Sequence, residues 1–238
     1  MAILSLEGVH AYYGKAHILQ GVSFSVEQPS VVGIFGRNGA GKTTLLRTIM
    51  NLVPRCEGVI RYGARDLTGL SADARTRAGI VYMSQDLRVF PDLSVRENCV
   101  AAREAVRSNV SFDEVIGQIP ELIPHLDRPA GKLSGGQQQL VGFARSLLMG
   151  SNLFMLDEPT EGLMPLLVSR VGEIVRSLKH RAITVLLVEQ NVQLGMGICD
   201  HIYFLEKGRI VDQATPPEVR AKHLLERYLG VSHQSPSM

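Results

Sequence analysis

Two kinds of apolar run succeed one another along this chain. At Ile3 to Val9, Val22 to Val26 and Val59 to Tyr62 the apolar positions alternate with polar ones or form short groups, the pattern of antiparallel strands with one face exposed. At "VVGIF" (Val31 to Phe35), "GIVYM" (Gly79 to Met83), "LFML" (Leu153 to Leu156) and "ITVLLV" (Ile183 to Val188) nearly every position is apolar, as in parallel strands buried on both faces. Each of these four runs ends in a polar cluster: "GRNGAGKTT", "SQD", "DEPTEG" and "EQN". Ligands of an open parallel sheet sit at the carboxyl ends of its strands, so the four clusters are expected to converge on one site.

Helical spacing fills the intervals. Leu45, Leu46 and Ile49 share one face, as do Leu140, Val141, Ala144, Leu147 and Leu148, and again Leu167, Val171, Ile174, Val175 and Leu178. "SVRE", Ser94 to Glu97, has the spacing of a capping box. Residues 87–150 carry helical pattern and no buried strand, and "LEKGRIV" reads as a hairpin turning at Gly208. The expected architecture is a single α/β domain over 1–238. Residues 1–86 and 151–215 make its core, a mixed and mostly parallel sheet with an N-terminal antiparallel β-subdomain; 87–150 form an inserted helical subdomain, and 216–238 a C-terminal tail whose polar end, "SHQSPSM", is expected to fray.

Composition narrows the function classes. A chain of 238 residues can bury a core without staples. Its net charge of +2 is spread along its length, so binding of nucleic acid through bulk charge is not expected. Cys56, Cys99 and Cys199 are odd in number and lack ligand spacing, which points to reduced thiols. The N-terminal stretch reaches Glu7 before any long apolar run, and no run nears the roughly 18 residues of a membrane span. A membrane role is therefore expected to come through a partner.

"GRNGAGKT" fits G-x-x-x-x-G-K-[ST], preceded by a strand pattern and followed by a helical one. In that context Gly36, Arg37, Asn38, Gly39, Ala40, Gly41, Lys42, Thr43 and Thr44 are candidates to wrap nucleotide phosphates. Backbone N–H groups and the helix dipole favour the anion, Lys42 reaches the terminal phosphates, and the Thr43 hydroxyl suits magnesium. "LFMLDE" supplies Asp157 as a second magnesium ligand and Glu158 as the group that polarises a water against the γ-phosphate. "LSGGQQQ" looks like another anion cradle, with Ser134 at a helix N-cap followed by Gly135, Gly136 and Gln137. A second cradle beside one complete phosphate loop implies service to another molecule's nucleotide, in a head-to-tail dimer.

With these motifs in order, the chain resembles the ATPase subunits of ATP-binding-cassette transporters over nearly its whole length. "YYG" places Tyr13 where that family stacks an aromatic on adenine; "GRNGAGKT" stands as Walker A, "YMSQ" with Gln85 as Q-loop, "LSGGQ" as signature, "LFMLDE" as Walker B and "EGLM" as D-loop. The resemblance implies a P-loop NTPase core, ATP and Mg2+ as ligands, and Gln85 with Thr43 and Asp157 around the metal. It implies two cassettes that sandwich two ATP molecules and drive transmembrane permease subunits from the cytoplasmic face of the inner membrane. The permease contact is expected at residues 86–104.

Two positions depart from the family's pattern. Gln190 in "LLVEQN" stands where most members carry histidine, and an amide cannot become cationic. Met164 stands where the D-loop usually ends in aspartate. Both lead to the expectation of a weakened hydrolytic site, with Glu158 and Gln190 as its catalytic pair, beside a second, non-identical cassette; a homodimer is the alternative for the isolated chain. "DEPTEGLMP", "LLVEQN" and "YLGV" resemble one of the two ATPases of branched-chain amino-acid uptake systems, which work with an external solute-binding protein and have relatives that import urea and short amides. A mainly regulatory cassette is the other alternative. A GTPase is not expected, since none of the six lysines is followed two residues later by aspartate.

Overall fold

The computed structural model describes residues 2–27, 29–86 and 89–230. The expectation for "SHQSPSM" lies outside them. The strands are β1 (Ala2–Tyr13), β2 (Ala16–Glu27), β3 (Val31–Phe35), β4 (Arg55–Tyr62), β5 (Arg65–Asp66), β6 (Ile80–Met83), β7 (Leu153–Asp157), β8 (Thr184–Val188), β9 (His201–Glu206) and β10 (Arg209–Ala214). The helices are α1 (Lys42–Ile49), α2 (Ala72–Arg77), α3 (Val95–Ala105), α4 (Phe112–Gln118), α5 (Gly135–Met149), α6 (Pro165–His180), α7 (Val192–Ile198), α8 (Pro216–Ala221) and α9 (Leu224–Leu229).

Two sheets result. One is antiparallel, in the order β2-β1-β4-β5; the other runs β10-β9-β3-β8-β7-β6, parallel throughout except for the β9–β10 hairpin. The fold is α/β of the P-loop NTPase kind, as the two classes of apolar run require. Along the central strands successive side chains enter opposite cores: Val185 and Leu187 pack with α5 and α6, while Leu186 and Val188 pack with α1 and the antiparallel sheet. The apolar-on-both-faces pattern therefore reflects a sheet that partitions two hydrophobic clusters.

β1 and β2 run longer than their apolar alternation, meeting across Gly14 and Lys15. Register shifts between Leu6 and Val9, and again at Val9/His10 and Ala11/Tyr12, break the period of two that would have revealed the hairpin's outer half. The stretch from 216, expected as a tail, carries α8 and α9 and buries Val219, Leu224 and Leu225 in the cluster of α5 and α6. Arg75 on α2 is 2% exposed. Its guanidinium donates to the carbonyls of Thr48, Ile49, Leu67 and Leu70, closing the C-terminal end of α1, where a cation suits the helix dipole.

Candidate functional site

The loop between β3 and α1 places Lys42 and Thr43 at the carboxyl end of the parallel sheet. Gly36 is held tight there, because a Cβ would sit 2.3 Å from the Leu205 carbonyl of β9. Gly41, the N-cap of α1, takes φ +107°, a conformation that glycine alone adopts without strain, and no side chain caps the helix. The Lys42 ammonium donates to the carbonyls of Gly36 and Arg37 at 2.8 and 3.3 Å. Burial lowers its pKa, while the charges of Glu158 and Asp157 work in the opposite direction.

The end of β7, one strand removed from β3 across β8, delivers two carboxylates. Asp157 is fully buried, accepts from the Thr43 hydroxyl at 3.2 Å and from the Tyr82 hydroxyl at 3.0 Å, and burial holds its pKa above the usual carboxylate value. Glu158 follows with φ +50°, a left-handed backbone that is uncommon for a residue with a side chain. The amide of Gln190, from the end of β8, donates to both Glu158 carboxylate oxygens at 2.7 and 2.8 Å. Gln85 adds weaker contacts from its amide to Glu158 at 3.4 Å and to Glu161 at 3.1 Å.

One cleft of about 460 Å³ is lined by Asn38, Gly39, Gly41, Lys42, Thr43, Thr44, Gln85, Glu158 and Gln190, with Ile18 of β2 at its edge; Asp157 is not in its lining and meets it through the Thr43 hydroxyl. The paired Thr43 hydroxyl and Asp157 carboxylate are hard oxygen donors of the sort magnesium takes, so the residues present fit that ion. Tyr13, at the tip of β1, is 36% exposed and lies outside the lining. Its neighbour Tyr12 is already covered, stacked on His17 at 4.4 Å with Arg55 over its ring at 4.7 Å.

Ser134, Gly135, Gly136 and Gln137 open α5 away from this lining. The Ser134 hydroxyl accepts from the Gln137 backbone at 3.3 Å while the Gln137 side chain accepts from the Ser134 backbone at 3.0 Å, a reciprocal capping box. Gly135 faces open space, whereas a Cβ on Gly136 would lie 3.1 Å from the Gly162 carbonyl. One glycine of the pair leaves room for an anion and the other packs against the chain's own "EGLM" loop.

Two polar residues that the sequence did not single out join the site to its surroundings. Glu189 is buried, and its carboxylate accepts from the backbone and hydroxyl of Thr160 at 3.0 and 2.5 Å and from the Asn191 backbone at 3.0 Å. It fastens the loop after Glu158 to the loop holding Gln190. An acid at the end of a buried strand was the available signal. The second is Gln139 of α5, fully buried, whose amide donates to the Glu158 backbone carbonyl at 3.0 Å.

Comparisons with known proteins agree with this geometry. The family model described as "ABC transporter" matches residues 19–161. A high-affinity branched-chain amino acid transport ATP-binding protein of Pseudomonas aeruginosa, BraG, is 36% identical over 231 residues, covering 93% of this chain and 99% of its own. The lipopolysaccharide export system ATP-binding protein of Escherichia coli, LptB, is 32% identical over 237 residues, covering 97% and 98%. The crystal structure of a nucleotide-free ATP-binding cassette from an ABC transporter superposes with a TM-score of 0.84 at 26% identity, over 98% of this chain and all of that one.

Proposed function

The chain belongs to the ABC transporter ATPase family, an ATP-hydrolysing cassette that works with membrane permeases and in cassette pairs, and from that premise we propose that it energises uptake of branched-chain amino acids. Two features favour that solute class: the 36% identity with BraG over nearly both chains, and the "LLVEQN" segment. The solute would be delivered by an external binding protein, and the cassette would act at the cytoplasmic face with a second, non-identical one.

The observation that carries the hydrolytic assignment is the single cleft shared by Lys42, Thr43, Gln85, Glu158 and Gln190. Phosphates would be held by the backbone of Gly36 to Thr44, Arg37 and Ala40 included, and by the Lys42 ammonium, two of whose three protons go to the Gly36 and Arg37 carbonyls. Thr43 and Asp157, with Gln85, would hold magnesium, which supplies charge neutralisation to the γ-phosphate when bound. Glu158 is the general base, accepting a proton from the attacking water at a carboxylate oxygen.

In the structure both of those oxygens are occupied by the Gln190 amide. A γ-phosphate offers that amide a more highly charged acceptor, so nucleotide binding would draw Gln190 off Glu158 and free the base. The signature residues Ser134, Gly135, Gly136 and Gln137 would act on the companion's ATP, and Tyr13 would stack on adenine. Residues 87–150 would form the helical subdomain, and 86–104 the permease contact.

The test is MgATP turnover by the transporter assembly carrying Glu158→Gln. General-base removal should lower kcat by about 10²–10⁴-fold; an unchanged rate would sink the assignment and leave a regulatory cassette. The solute is read by uptake of labelled leucine and urea in proteoliposomes. The 32% identity with LptB over almost the whole chain favours lipopolysaccharide export as the second reading. Export of lipopolysaccharide without leucine uptake would establish it.

A further inference from the structure

We infer that Gln139 is a positioning residue that ties the signature helix α5 to the backbone of Glu158, so that engagement of α5 by the companion's nucleotide is felt at this chain's own general base. This rests on the role proposed for Glu158.

Gln139 is fully buried, and its Nε2 donates to the Glu158 carbonyl at 3.0 Å. Since a carbonyl can only accept, the orientation of the amide is fixed by its partner. The other end of the same amide, Oε1, is buried with no hydrogen-bond partner among the described residues. A half-satisfied buried amide costs stability, whereas methionine would fill a similar volume without an orphaned oxygen and would leave the Glu158 carbonyl its bond from the Glu161 N–H. Stability alone therefore does not explain an amide at this position.

What the amide does is local to Glu158. The Glu158 N–H donates to the Val188 carbonyl at 2.9 Å, and the Glu158 carbonyl accepts from Gln139 at 3.0 Å and from the Glu161 N–H of its own loop at 3.2 Å. Together those bonds fix the peptide planes on either side of a residue at φ +50° and thus the direction in which its carboxylate leaves the backbone. One tether comes from the sheet, one from the local turn at Glu161, and the only side-chain one among the described residues from α5. Gln139 lies five residues beyond Ser134, about 7.5 Å along a continuous helix. A displacement of the α5 N-terminus reaches the Glu158 backbone directly through this hydrogen bond, beside the contact of Gly136 with the loop at Gly162.

The experiment compares MgATP hydrolysis by the transporter assembly purified with wild-type chain, Gln139→Met, Gln139→Glu and Glu158→Gln, with melting temperatures alongside. Gln139→Met is expected to lower kcat at least tenfold, to leave the KM for ATP within twofold, and to leave the melting temperature equal or higher. A purely structural amide would instead lower the melting temperature and leave kcat of the folded fraction unchanged, which overturns the inference. Gln139→Glu adds a readout that survives poor folding of the first variant. Its carboxylate cannot donate, but the protonated acid can, so its kcat relative to wild type should recover as pH falls; a ratio flat with pH overturns the inference. If Glu158→Gln itself leaves turnover intact, the reading of Glu158 fails. If Glu158→Gln abolishes turnover while Gln139→Met does not lower kcat, only the tether is wrong.

Discussion

The N-termini of α1 and α5 are both glycine-bearing, both proposed to face phosphate, and built on opposite plans. At α1 the N-cap is Gly41 in a left-handed conformation, with no side chain to satisfy the first turn. At α5 the N-cap is Ser134, whose hydroxyl and the Gln137 amide satisfy each other's backbone groups. The first end is incomplete without a ligand. The second is capped in part by its own side chains, and its serine hydroxyl, accepting from Gln137, still has a proton to donate. An open terminus suits a ligand that the chain must bind alone, and a closed one suits a ligand held mainly by another chain.

The sharpest way to break this contrast is a methyl group at each end. Gly41→Ala forces φ +107° on a residue with a Cβ and pushes that atom to 3.1 Å from Leu19. ATP affinity of the purified chain, measured by calorimetry, should fall by about 10²-fold, the order expected when roughly 3 kcal/mol of fit is lost. Gly135→Ala meets open space and should leave that affinity within twofold. Equal losses from the two substitutions would refute the contrast.

A smaller effect is expected from Ser134→Ala. Losing the cap should cost about 1 kcal/mol, seen as a melting temperature lower by about 2–4 °C. Turnover of the assembly should fall about tenfold, the equivalent of about 1.4 kcal/mol, while ATP affinity of the chain alone is unchanged. A drop in the isolated chain's own affinity would place Ser134 in its own site. The mildest change is Gln190→His, which replaces an amide that does not titrate by a ring that does near pH 6.5. Turnover should then acquire a pH dependence between about 6 and 7 that the unaltered assembly lacks; superimposable profiles would show that position 190 does not touch the reacting charges.

The open cradle was fully legible in the sequence, and the closed one only in part. Strands β3, β7 and β8 announced themselves because both faces are buried, and their terminal polar residues fell where the topology required. The N-cap at Ser134 was legible, while its reciprocal capping box with Gln137 was not read from the sequence. Glu189, Gln139 and Arg75 were not foreseen in these roles, for a common reason. Each donates to or accepts from backbone groups on other elements, and local pattern carries no trace of which carbonyl or N–H a distant fold will leave unpaired. Gly136 was read as room for an anion, and only its approach to Gly162 shows that it also accommodates its own chain.

The left-handed backbone of Glu158 has a consequence for how such a chain would change under relaxed selection. A residue with a side chain at φ +50° is held against its own preference, whereas glycine or asparagine would occupy the same position with less strain. Relief of that strain would offset part of what is lost with the carboxylate's hydrogen bonds to Gln190. In a duplicated copy no longer required for transport, a glycine or asparagine after the last residue of β7, beside an intact phosphate loop, would therefore be a well-tolerated loss.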